Sequence, residues 1–149
     1  MRKNVLAILL LSLALILLAA CGGGAAEETE TETEGAAATG GDAAAGEELY
    51  NQNSIGSAPG CITCHSVEPT DDPLQPSPVG PSHYGLADRA GDYVEGQSAE
   101  EYLRESIVEP DAHIVEGFTA GVMYQNYGED LTQQQIDDLV AYLMTLEGE

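Results

Sequence analysis

Apolar residues recur at helical spacing in three stretches of the chain. The clearest runs from about Thr132 to Leu146, where Ile136, Leu139, Val140, Leu143 and Leu146 form one stripe that should be buried. Thr132 followed by Gln135 fits a capping box at its start. A second helix is expected from Ser98 to Val108, opened by the pair Ser98 and Glu101 and closed by Pro110. Its inner face would carry Tyr102, Leu103, Ser106 and Ile107. A shorter helix from Gly46 to Asn53 bears Leu49 and Tyr50. The connecting segments are rich in Gly and Pro, and no stretch alternates convincingly as a strand. The pattern predicts one folded domain over residues 46–149.

The start of the chain follows a different logic. Arg2 and Lys3 precede an apolar run from Val5 to Leu18, and Leu18-Ala19-Ala20-Cys21 follows at once. A charged start, an apolar core and small residues before a cut describe an export signal. With a cysteine at the cut, residues 1–20 resemble a bacterial lipoprotein signal, which implies cleavage before Cys21 and a diacylglycerol on its thiol. An ordinary signal peptide and a retained anchor are the plainer readings. All three place the remainder on the outer, periplasmic or extracytoplasmic, face of the cell membrane. Residues 21–45 have no apolar periodicity: Gly22-Gly23-Gly24 leads into alternating Glu and Thr, then Ala and Gly. Such a segment reads as a disordered acidic tether with an r.m.s. span of roughly 25–30 Å.

Charge narrows the partners. The 149 residues carry 26 acidic and 4 basic side chains, a formal net charge of −22. Loss of residues 1–20 removes Arg2 and Lys3 and leaves −24, with Arg89 and Arg104 as the remaining cations. This excludes nucleic acid and direct docking to anionic lipid, and favours redox partners with basic docking surfaces. Solubility in a salty or acidic habitat is the plainer account of the same charge.

Chemistry enters at Cys61-Ile62-Thr63-Cys64-His65, a C-x-x-C-H sequence. Two thiols at this spacing can add to the two vinyl groups on one edge of a haem, and the adjacent histidine then ligates iron. One covalent haem c is therefore the expected cofactor. A zinc site would need a second ligand pair, and a thioredoxin-type pair would need strands around it. The domain also has one Phe and no Trp, a thin core that a large apolar cofactor would complete. For the sixth iron ligand, Met123 lies in the irregular Gly121-Val122-Met123-Tyr124, whereas Met144 sits beside the last apolar stripe and reads as core. His83 and His113 are the weaker candidates and read as neutral structural histidines; an open site is the remaining alternative. His65 with Met123 would fill both axial positions, which suits electron transfer better than ligand binding.

The domain resembles the class I cytochromes c over about Gly46 to Leu146. The resemblance implies an all-α fold with about three to five helices around one covalent haem. Gly46 and Tyr50 look like the small and aromatic pair of the family's first helix, which would cross Leu139 and Tyr142 on the last. Val79-Gly80-Pro81 looks like the segment whose proline carbonyl orients the proximal imidazole, making Pro81 the partner of His65. Gly85-Leu86-Ala87-Asp88-Arg89-Ala90-Gly91 resembles a G-L-x-G-R-x-G segment. Its arginine implies Arg89 as a haem-propionate contact, with a surface ion pair as the even alternative. Ile107 to Gly117, then Met123, then Leu139 to Leu143 resemble the closing third. Tyr124 stands where the family often has Pro, Asp88 replaces a usual Gly, and residues 68–78 form an acidic, proline-rich insertion that would shield an edge or contact a partner.

Four functions compete for these features. The first is a lipid-anchored carrier of single electrons between a quinol-oxidising complex and an oxidase or reaction centre. The second is a fixed subunit of such a complex, similar to the monohaem lipoprotein of alternative complex III. A haem enzyme or gas-binding protein would need an open sixth position, and a purely structural module would not need covalent haem. No catalytic constellation is visible, so the expectation is an electron-transfer protein rather than an enzyme.

Overall fold

The computed structural model describes residues 40–148. The expected signal segment, Cys21 and most of the expected tether lie outside the described residues. Five α-helices are present among the described residues: α1 (Ala43–Tyr50), α2 (Leu86–Arg89), α3 (Ala99–Val108), α4 (Tyr127–Asp130) and α5 (Gln133–Leu143). The largely helical fold agrees with the all-α expectation, with one addition. Ser54–Ile55 (β1) and Ala58–Pro59 (β2) pair antiparallel, Ser54 against Pro59 and Ile55 against Ala58. Two-residue strands are too short to leave an alternating pattern in the sequence.

Helix ends follow local hydrogen bonding. Ser98 accepts from the Glu101 amide and the Glu101 side chain accepts from Ser98, a complete capping box on α3. Thr132 and Gln135 do the same for α5. The first helix begins at Ala43, before the Gly46 expected from apolar spacing, because the Asp42 carboxylate accepts from the amides of Ala44 and Ala45. α5 stops at Leu143 rather than Leu146. The Thr145 hydroxyl and amide both donate to the Tyr142 carbonyl, at 2.7 and 2.9 Å, and turn the chain out of the helix. The exit segment then meets α2, where the Ala87 amide donates to the Leu146 carbonyl at 3.0 Å.

The core is built where α1 crosses α5. Ile136, Leu139, Val140 and Leu143 of α5 are buried, as are Tyr102, Leu103 and Ile107 of α3. Burying each such side chain contributes about 1.5–3 kcal/mol, against about 1 kcal/mol for a cap, so packing rather than capping holds α5. Gly46 faces the Asp138 carbonyl across the crossing. Tyr50 and Tyr142 meet there with ring centroids 5.2 Å apart. Four buried tyrosines (Tyr50, Tyr102, Tyr127 and Tyr142) supply the bulk that the scarcity of Phe and Trp withholds. Asp138 is also buried, accepting from the Asp42 amide at 2.7 Å and from Gln134 Nε2 at 2.8 Å. Not every carboxylate of this acidic chain belongs to a solvated surface.

Candidate haem site

A cleft of about 590 Å³ opens among these elements. Cys61, Cys64 and His65 line it together with Leu86, Leu103, Ile107, Leu139 and Leu143. Cys61–Thr63 form a 3₁₀ turn, in which the amides of Cys64 and His65 both donate to the Cys61 carbonyl, at 3.1 and 3.0 Å. One turn thus delivers both sulfurs and the imidazole to the same cavity. Burial pushes the Cys61 thiol, before any attachment, up to about 11.

The His65 ring is held in one tautomer. Its Nδ1 lies 2.8 Å from the Pro81 carbonyl oxygen. A carbonyl can only accept, so Nδ1 carries the hydrogen and Nε2 keeps its lone pair. Burial lowers the pKa of His65, with the Pro81 carbonyl opposing that shift. A neutral imidazole with a free Nε2 is the form that binds a metal. The backbone of Gly80 packs on the ring so closely that a side chain there has no room. The apolar walls, the paired thiols and the fixed neutral imidazole fit a covalently attached haem.

The loop from 66 to 84 is laced to the motif. The amides of Val79 and Gly80 donate to the Cys64 carbonyl, at 3.2 and 2.9 Å. The 68–78 insertion folds back over this loop. Ser77 donates to the Gly80 carbonyl at 2.7 Å, and Pro73 accepts from the Ser82 amide at 3.1 Å. Arg89 donates through Nε to the Tyr93 hydroxyl at 3.0 Å and through Nη1 to the Tyr84 carbonyl at 2.5 Å. Its Nη2 donates to the Ser82 carbonyl. Arg89 also lines the cleft, and these partners are neutral oxygens rather than the carboxylate of a surface ion pair.

Met123 lines the cleft too, while Met144 packs against the core and takes no part in the lining. The Met123 loop is pinned by Asp111, which accepts from the Gly121 amide at 2.9 Å and from Gln125 Nε2 at 3.3 Å. Asp111 had no mark in the sequence, since its partners lie on the far side of a loop. His113 faces the cleft beside Tyr93 and Tyr102, with ring centroids 6.0 and 5.8 Å away. His83 lines it as well, and burial, reinforced by His65 and Arg89, holds its pKa well below the usual histidine range. It is therefore neutral.

A helical shell around an apolar cleft with a C-x-x-C-H turn on its wall defines a haem c protein. Residues 43–147 match the family model described as Cytochrome c, and the chain belongs to the cytochrome c family. Comparison with curated proteins returned no match. Membership carries a covalently bound haem c, to which Cys61 and Cys64 fit as attachment points, and a role in haem-based electron transfer rather than catalysis.

Proposed function

We propose that this cytochrome c is a lipid-anchored carrier on the outer face of a membrane. It passes single electrons from a quinol-oxidising complex to an oxidase or reaction centre. When bound, haem supplies a one-electron iron couple. His65 Nε2 and the Met123 thioether would hold its iron, and Arg89 would reach a propionate. The observation that carries it is the lining of one cleft by Cys61, Cys64, His65 and Met123, with Met144 outside. With both residues holding the iron, no position would remain for an exogenous ligand, which favours a carrier over a gas-binding protein.

Attachment through Cys21 and the acidic 21–45 segment would let the domain move over the membrane while staying bound to it. The net charge of −24 left after loss of residues 1–20 supports basic docking surfaces on both redox partners. The experiment is carbon monoxide binding to the reduced holoprotein and to Met123→Ala. The wild type should resist carbon monoxide and show the thioether-to-iron absorption band. Met123→Ala should lose the band and bind the gas. Rapid binding by the wild type would overturn the axial reading. For the anchor, Cys21→Ser should leave the membrane fraction; a variant that stays there as well as the wild type would contradict lipid attachment.

A further inference from the structure

Holding iron and two thioethers does not account for one part of the cleft wall. The ring of His83 stacks on the ring of His65, with centroids 4.0 Å apart and planes within 20° of parallel. On its other flank His83 Nδ1 lies 3.2 Å from the hydroxyl of Tyr50, a residue with no solvent exposure. A buried hydroxyl needs a hydrogen-bond partner, and the half-buried imidazole of His83 supplies it. Leucine would cover the same face of His65 with no such requirement. The polar pair therefore gives His83 a fixed place that an apolar side chain would not have.

The backbone reinforces that place. The His83 amide donates to the Ser66 carbonyl at 2.7 Å, directly after His65 in the chain. Arg89 grips the carbonyls on both sides of His83, those of Ser82 and Tyr84. His83 thus cannot shift relative to His65 without breaking several bonds. A terminal ring torsion is soft, and one hydrogen bond at Nδ1 leaves an imidazole free to rock about the donor–acceptor line. The Gly80 backbone beside Cε1 and Nδ1 and the parallel His83 ring at contact distance together remove that freedom.

We propose that His83, held by the Tyr50 hydroxyl, is a positioning residue that fixes the plane of the His65 imidazole. The proposal rests on the reading of His65 as an axial ligand. In a low-spin ferric haem, the plane of the axial imidazole sets the pattern of the unpaired electron over the ring. That pattern is visible in the g values and in the order of the haem methyl proton shifts.

The test compares the ferric full-chain holoprotein with Tyr50→Phe and His83→Leu by electron paramagnetic resonance and proton NMR. Tyr50→Phe removes one oxygen atom and keeps the aromatic packing, so it decides the matter alone should His83→Leu fail to fold. The expected result is a shift of the largest g value with broadening, and a changed spread of methyl shifts, in each variant that binds haem. Wild-type g values and methyl shifts in Tyr50→Phe would overturn this inference alone. A wild-type spectrum without a low-spin imidazole-ligated signature would overturn the axial reading and this inference with it.

Discussion

A Cβ placed on Gly80 would stand 2.4 Å from Cε1 of His65 and 2.8 Å from its Nδ1. The neighbouring atoms are the same ring that Pro81 fixes in the tautomer with a free Nε2. Gly80→Ala should therefore push the imidazole or the loop aside. Overpacking of a tight site costs about 1–3 kcal/mol. Denaturant unfolding of the holoprotein should show a loss of this size, with altered haem absorption. Stability within about 0.5 kcal/mol of the wild type, the range of a neutral surface change, would mean that the loop yields freely.

Gly46 presents a contest of two effects with opposite signs. Alanine in a helix interior is favoured over glycine by about 1 kcal/mol. Against that, a Cβ at Gly46 would lie 2.0 Å from the Asp138 carbonyl oxygen and 2.8 Å from Tyr142 Cβ. Both obstacles belong to the packed face of α5, so α1 must retreat from the core. A net loss of about 1–3 kcal/mol is expected for Gly46→Ala in a urea titration. A gain would show that the crossing has slack.

Arg89→Lys tests the staple on the proximal loop. A lysine offers one compact ammonium where the planar guanidinium reaches the Tyr93 hydroxyl and the carbonyls of Ser82 and Tyr84 together. Hydrogen bonds from charged donors contribute about 1.5–3 kcal/mol, and part of that should vanish. The measurements are thermal unfolding and amide hydrogen exchange at Tyr84 and Leu86. Unchanged exchange would show that the loop holds without Arg89.

The capping box of α3 gives a pH dependence. The Glu101 carboxylate accepts from the Ser98 amide at 2.9 Å and from its hydroxyl at 2.7 Å. These bonds lower its pKa below the ordinary 4.5. A carboxyl held lower in the folded state than in the unfolded chain contributes stability above the ordinary value and loses it as pH falls through the folded one. Glu101→Gln should flatten the acid limb of the stability profile below about pH 4.5. Equal slopes for the two proteins would show that the cap carries no charge-dependent stability.

Much of the architecture could be read along the chain. Both capping boxes lie within four residues, and the α5 stripe repeats every turn, so each is complete in its own segment. The C-x-x-C-H motif is equally local, because a single turn of backbone is enough to bring its three groups to one cavity. Helix ends were less legible. Asp42 and Thr145 move them through side-chain bonds to neighbouring backbone, which apolar spacing does not register.

What the sequence determined by itself was therefore the set of local elements, the place of haem attachment and the acid character of the surface. The tertiary structure decided which groups meet across the chain. Tyr50 finds His83, Gly80 meets the ring of His65, and the Asp138 carboxylate is buried against the Asp42 amide. A histidine has the same chemistry wherever it stands in a sequence. Whether it becomes a metal ligand, a brace behind one or a solvated side chain depends on the desolvation and partners that only the packed chain provides.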